Sequence, residues 1–189
     1  AAQTSKKIRA VWQMKAASGK RISSTVPYGY MKSPDNPKQW IVDEPVAEIV
    51  RYIYKLCIEG LGPTKIAKRL TKEKILIPTA YWISMGKAVS NKNITDPYRW
   101  VTETIKNILA NRQYTGCTVN FKSTILSYKV HKKIENDESK WQIIPNTQET
   151  IIDEDTFNRV QELRNSRRRN SATGRTSLFS GLTYCADCG

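Results

Sequence analysis

Two cysteines near the end of the chain have the spacing of metal ligands. Cys185 and Cys188 stand in a C-x-x-C-G sequence, and thiolates at this spacing typically fill two of the four tetrahedral positions around a zinc ion. A closed structural site needs four nitrogen or sulfur donors, so we expect a second pair of ligands downstream in a longer protein. The sequence therefore predicts a zinc-binding motif that is truncated here, with zinc in a structural role.

No other residues form a recognisable catalytic pattern. The sequence contains no G-x-x-x-x-G-K-[ST], G-x-G-x-x-G or H-E-x-x-H motif, and its one histidine, His131, lies in a lysine-rich segment. Most acidic residues fall in the first turns of predicted helices, where the helix dipole already accounts for them. Cys57 and Cys117 lie on apolar faces and are expected in the core. We therefore predict a binding module and assign no catalytic residue to this chain.

The charge of the chain predicts a polyanionic partner. Its 31 lysines and arginines against 17 acidic residues give a formal net charge of +14. Basic residues dominate the stretch before the first acid, Asp35, and recur at Arg167, Arg168 and Arg169. No long apolar run or amphipathic stretch accompanies them, which favours nucleic acid over a membrane. The few cysteines, without a secretion signal, favour a reducing compartment.

Apolar periodicity predicts five helices, beginning with three in the first half of the chain. The first covers residues 4–18 and ends at Gly19, and the second follows the N-cap Asp43 and ends at Gly60. The third begins at Pro63 after a very short turn. Two helices joined this tightly form the skeleton of a helix-turn-helix unit, although helical hairpins without any DNA-binding role are common.

The fourth predicted helix has the face best suited to reading DNA bases. It opens at Trp100. The side opposite its apolar residues carries Glu103, Lys106 and Asn107, which are polar and able to make bidentate contacts in a major groove. An ordinary solvated face remains the alternative interpretation. The residues expected to be buried on this helix are Val101, Ile105, Ile108 and Leu109.

The remaining segments predict one long loop, one β-hairpin and a final helix. Residues 75–99 are rich in turn-forming residues and are expected to form a loop. Alternating apolar residues from Cys117 to Ile143 predict a hairpin with a polar tip at residues 135–139. Asp153 is expected to cap the fifth helix. Together these elements predict an α+β fold that is mainly α, with a long C-terminal helix.

The order of these features resembles the large serine recombinases of phages and mobile elements. Each motif is weak by itself, but they occur in the same order over nearly the whole chain. The motifs are the basic helix ending at Gly19, Pro27-Tyr28-Gly29-Tyr30, the helix of Ile66, Ala67 and Leu70 with Ile77-Pro78, Trp100 to Leu109 with Tyr114-Thr115-Gly116, Ile151-Ile152-Asp153 to Phe157, Val160 and Gln161, and Cys185 to Gly189.

The resemblance implies a division of the chain into five parts. Residues 1–19 correspond to the end of a long helix from a catalytic domain that is absent, and residues 20–30 to a connector. Residues 31–165 correspond to the recombinase, or DNA-binding, domain. A basic linker at 166–177 and the truncated start of a zinc ribbon at 178–189 complete the chain.

The resemblance also implies a partner and roles for individual residues. Such proteins bind duplex DNA at attachment sites, as dimers that pair into tetramers, in the bacterial cytoplasm; this chain by itself is expected to be a monomer. Lys20 and Arg21 would lie in a minor groove, whereas Glu103, Lys106 and Asn107 would enter the adjacent major groove. The residues implied to follow phosphates are Arg167, Arg168 and Arg169.

Two other functions remain open on the sequence. A DNA-binding transcriptional regulator would use the same helices and hairpin, and the upstream reading frame distinguishes it by the presence or absence of a serine nucleophile. An RNA-binding module would fit the charge, but the sequence lacks an RNP-like pattern of aromatic residues.

Overall fold

The computed structural model of the chain describes residues 2–23, 25–87, 89, 93–125, 130 and 132–166. Helices form most of the regular structure in these residues, and the strands are short. The helices are α1 (Ala2–Ala17), α2 (Glu44–Ile58), α3 (Pro63–Lys72), α4 (Pro78–Ser84), α5 (Thr102–Leu109) and α6 (Glu154–Ser166). The strands are β1 (Tyr30–Lys32), β2 (Trp40–Val42), β3 (Thr118–Asn120), β4 (Ser123–Ile125), β5 (Lys133–Glu135) and β6 (Gln142–Ile144).

Helices α2, α3, α5 and α6 enclose the core. Their apolar residues recur every three or four positions, so each helix turns one stripe inward. On α2 the fully buried stripe includes Val46, Val50 and Ile53. Helix α3 contributes Ile66 and Leu70, as the sequence predicted. The combination of helices with small antiparallel sheets confirms the predicted mixture of α and β structure.

A layer of aromatic side chains connects the helical core to the strands. Tyr114 is fully buried, stacks on Tyr30 with ring centroids 6.2 Å apart, and meets Tyr54 edge to face at 6.3 Å. Its hydroxyl donates to the carbonyl of Tyr28 at 2.8 Å. The buried hydroxyl is therefore satisfied, and ring packing through Tyr114 connects Tyr30 on β1 to Tyr54 on α2.

The strands form three separate antiparallel pairs. Strand β1 pairs with β2, β3 with β6, and β4 with β5. In the last two pairs Thr118 is opposite Ile144, and Ser123 is opposite Glu135. The prediction of a hairpin tip at 135–139 was therefore wrong: Glu135 belongs to a strand, and the chain reverses between β4 and β5. The β1–β2 pair was missed.

Two local predictions in the first half of the domain need correction. Residues 75–99 are not entirely loop, because α4 begins at Pro78, where the fixed φ of proline suits a first helical turn. Asp43 precedes α2 as predicted but makes no side-chain cap. Its carboxylate instead accepts a hydrogen bond from the hydroxyl of Tyr81 on α4, at 2.9–3.0 Å.

Two predictions about helix ends in the second half differ in outcome. The side chain of Asp153 caps α6 by accepting from the backbone N–H of Thr156 at 2.8 Å, which confirms that prediction. Val101 is 51% exposed and precedes α5, so its predicted burial was wrong.

None of the helices in the described part of the chain has the length and apolarity that a membrane span requires.

Candidate nucleic-acid interface

Helix α5 presents one polar edge to solvent. Glu103, Lys106 and Asn107 are all exposed, and the ammonium of Lys106 lies 3.3 Å from the carboxylate of Glu103. The opposite side of the helix holds it in the core through Ile105 and Leu109, both fully buried. An amide and an ammonium on a rigidly held helix can donate to base edges, and the exposed pair with Glu103 contributes little to stability.

Helix α3 packs beside α5 and supplies exposed lysines. The hydroxyls of Thr64 on α3 and Thr102 on α5 lie 3.4 Å apart, which brings the N-terminal ends of the two helices together. Lys65 and Lys68 are exposed, and neither forms an ion pair with a carboxylate among the described residues. The next basic residue, Arg69, is paired with Glu73. Two exposed lysines that lack a carboxylate partner among the described residues therefore lie on the helix that packs against α5.

The sequence analysis missed the α3 lysines as site residues. Their signal was present: Lys65 and Lys68 are three residues apart, on the side of the helix opposite Ile66 and Leu70. Because lysines and arginines occur throughout the sequence, this pair did not stand out as a separate cluster of positive charge.

A second basic surface lies where α1, the connector and the strands meet. It is a groove of about 570 Å³. Four lysines line it, together with Trp40 and Arg21, and no acidic residue is among the described residues that form its wall. The four lysines are Lys15, Lys20, Lys32 and Lys38. A groove of this charge attracts anions, because cations that face one another without a carboxylate repel until a counter-charge arrives.

The guanidinium of Arg21 is held within the protein. It lies over the ring of Trp40, with its central carbon 3.3 Å from the ring centroid. It donates to the backbone carbonyl of Lys38 at 3.3 Å, to the hydroxyl of Thr118 at 2.9 Å and to the side-chain oxygen of Gln148. Burial lowers the pKa of Arg21 to about 10, so the group still carries its charge at neutral pH.

The predicted site residues therefore fall into separate groups. Lys20 and Arg21 line the groove, Lys20 with an exposed side chain, while Glu103, Lys106 and Asn107 share the polar edge of α5. None of the three α5 residues lines the groove. The remaining predicted site residues lie outside the described residues; they are Arg167, Arg168, Arg169, Cys185 and Cys188.

Comparison with known proteins identifies the family. A helical core with unneutralised lysines on two surfaces is characteristic of domains that bind nucleic acid. The sequence model of the Recombinase family matches residues 44–167, about two thirds of the chain. The chain therefore belongs to the Recombinase family.

Two solved structures share the fold. One concerns the sequence requirements of the Listeria innocua prophage attP site and is 20% identical, with a TM-score of 0.55, over 90% of this chain. The other is a crystal structure of an LSR–DNA complex and is 22% identical, with a TM-score of 0.55, over 97% of this chain. The chain spans 56% and 50% of the lengths of those proteins.

Proposed function

We propose that this chain is the DNA-binding part of a site-specific serine recombinase, which recognises attachment-site duplex DNA during integration or excision of a mobile element. The observation that carries this proposal is the exposed polar edge of α5, on a helix that packs against α3 and its exposed lysines. Membership of the Recombinase family and the fold shared with an LSR–DNA complex support it. Family membership also favours recombination over the transcriptional regulator considered from the sequence.

In this proposal the DNA-binding unit consists of α3 and α5, whereas the sequence pattern suggested a helix-turn-helix unit built from α2 and α3. Helix α5 lies in the major groove, where Lys106 and Asn107 face base edges. Helix α3 crosses the sugar-phosphate backbone with Lys65 and Lys68 near phosphates. In the unbound protein the ammonium of Lys106 is paired with the carboxylate of Glu103. On binding DNA, Lys106 would exchange this carboxylate for an acceptor atom on a base.

Other properties are proposed for the whole recombinase on the family resemblance alone. Strand cleavage belongs to a catalytic domain outside this chain, and the recombinase is a dimer on each site and a tetramer when two sites pair. Two further statements remain predictions. One is the division into a connector at 20–30 and a DNA-binding domain at 31–165, and the other is the binding of structural zinc by Cys185 and Cys188. A cytoplasmic, bacterial location is also part of this proposal.

Base recognition by α5 is tested by single substitutions measured on two DNAs. A cognate duplex is first selected from a random pool with the unmodified chain. Lys106→Ala or Asn107→Ala is then expected to weaken binding to that duplex by about 1–3 kcal/mol, because each removes a donor to base edges, and to change binding to random DNA little. Fluorescence anisotropy on both duplexes measures the difference. Equal losses on the two DNAs would remove α5 from the specificity role.

Phosphate contact by α3 is tested through the salt dependence of binding. Replacing Lys65 and Lys68 together by Ala should lower the slope of log K against log salt by about two, since each phosphate contact contributes about 0.9. Random and selected duplexes should be affected alike. Lys55→Ala is the matched control, because Lys55 is also exposed but lies on α2, beside Ile151 and Asp153. An unchanged slope in the double variant would show that the α3 face is merely solvated.

A further inference from the structure

The first residues of the connector are hydrogen-bonded to Asn120, at the end of strand β3 in the β3–β6 pair. The backbone N–H of Ile22 donates to the side-chain oxygen of Asn120 at 3.1 Å, and the side-chain N–H of Asn120 donates to the carbonyl of Lys20 at 3.0 Å. One buried amide on β3 thus binds the chain on both sides of Arg21. Asn120 is only 3% exposed, so it contacts no external partner in this conformation.

The same strand pair also holds the end of α1. The side chain of Gln142 on β6 donates to the carbonyl of Ala16, in the last turn of α1, at 3.0 Å. Ala16 is fully buried there. The helix that precedes the connector and the connector itself are therefore attached to one short pair of strands.

Arg21 connects this attachment to other segments. Its guanidinium contacts Thr118 on β3 and three residues outside the β3–β6 pair: Trp40 on β2, Lys38 in the turn between β1 and β2, and Gln148 after β6. Its Nε is buried and has no hydrogen-bond partner among the described residues. A planar fork with stacking and several donors suits this position, whereas a lysine ammonium cannot match it.

We infer that Arg21 is a positioning residue: its guanidinium clamps the start of the connector to the β3–β6 pair, and so fixes the direction of α1 and the spacing of the groove lysines. The family resemblance implied instead that Arg21, together with Lys20, lies directly in a DNA minor groove. Direct insertion requires the guanidinium to leave Trp40, Lys38, Thr118 and Gln148. Lys15, Lys20, Lys32 and Lys38 are the groove cations that remain available to phosphates.

The role in DNA binding rests on the proposed function, whereas the clamp itself does not. The clamp is measured first, by hydrogen exchange of the connector in the unbound chain, read from peptides that contain Ile22. Arg21→Lys keeps the charge but loses the fork, so exchange at Ile22 should accelerate by at least about tenfold. Asn120→Ala should do the same. Thermal unfolding with one cooperative transition confirms that each variant is folded.

DNA affinity then distinguishes positioning from direct contact. If Arg21 acts by positioning, Arg21→Lys and the buried Asn120→Ala should each weaken duplex binding severalfold. Lys20→Gln is the control: it should lower the salt slope by about one and leave the exchange of Ile22 unchanged. Normal exchange in Arg21→Lys would overturn the clamp. Normal affinity in Asn120→Ala would overturn its role in binding, and a loss of affinity in Arg21→Lys alone would then indicate direct contact of the guanidinium with DNA. Failure of the unmodified chain to bind duplex DNA would refute the proposed function instead, with the exchange result still deciding the clamp.

Discussion

Replacing Gly116 by alanine is expected to destabilise the protein by about 2–5 kcal/mol. Gly116 has φ of +81°, a left-handed conformation that costs a residue with a Cβ about 1–2 kcal/mol. An added Cβ would also lie 2.7 Å from the hydroxyl of Thr150 and 2.9 Å from the backbone oxygen of Gln148. The backbone oxygen cannot rotate away, so the turn into β3 must shift, which adds a cost of about 1–3 kcal/mol.

Urea unfolding of the variant and of a matched control separates these two contributions. Gly60 has φ of +95°, and an added Cβ there meets no atom within 4 Å. Gly60→Ala should therefore cost only about 1–2 kcal/mol, from backbone conformation alone. A Gly116→Ala variant no less stable than Gly60→Ala would show that the turn relaxes without strain. The glycine matters for the interface because this turn leads into β3, which carries Thr118 and Asn120.

The helical part of the fold was predictable because its residues are buried on one side. Helices α2, α3, α5 and α6 each repeat apolar residues at helical spacing, and that repeat is visible in the sequence. Helix α4 has no such repeat. Its aromatic residues Tyr81 and Trp82 are only half-buried, and none of its residues is fully buried. The turn-forming residues before and after α4 therefore led to the prediction of a loop over residues 75–99.

The strand pairing was not predictable because alternation does not specify register. Period-two patterns fix which face a residue occupies, but they do not say where the chain turns. Strands β4 and β5 are mostly exposed, so no buried face selects among pairings. The polar residues at 135–139 resembled a hairpin tip, yet Glu135 ends β5, and the last two of these residues belong to a short 3₁₀ turn, Glu138–Lys140.

The candidate site was predictable where it lies on one helix and not where it depends on distant segments. Lys106 and Asn107 follow from the periodicity of α5. The environment of Arg21 depends on Trp40, Thr118 and Gln148, which only the tertiary fold brings together. A sequence shows that an arginine is charged, but it does not show whether the guanidinium already has partners within the protein.

The aromatic layer gives the second large expected effect, a steep loss of stability at alkaline pH. Burial is the main cause that raises the pKa of six tyrosines above the ordinary value of about 10, and five of them make ring-to-ring contacts in this layer. For Tyr81 the pKa rises to about 12, and its hydrogen bond to the Asp43 carboxylate contributes after burial. The five are Tyr28, Tyr30, Tyr54, Tyr81 and Tyr114.

The sign follows from proton binding in the two states. Above about pH 10 these tyrosines ionise in the unfolded chain but stay protonated in the folded one, so the unfolded state binds fewer protons and stability falls as pH rises. Each fully buried tyrosine should remove up to about 1.4 kcal/mol per pH unit between its unfolded and folded pKa values. The stabilising contribution is fully present below about pH 9.

Urea unfolding at several pH values between about 8 and 11 measures this loss, with Tyr54→Phe as the comparison. Tyr54 is 1% exposed, and its hydroxyl donates to the carbonyls of Ile108 and Leu109 at 3.2 Å each. The variant loses these bonds and should be less stable near pH 8, but its stability should fall less steeply above pH 10, by up to about 1.4 kcal/mol per pH unit. Equal slopes for the two proteins would mean that Tyr54 ionises as readily in the folded state as in the unfolded chain, which requires water to reach the aromatic layer.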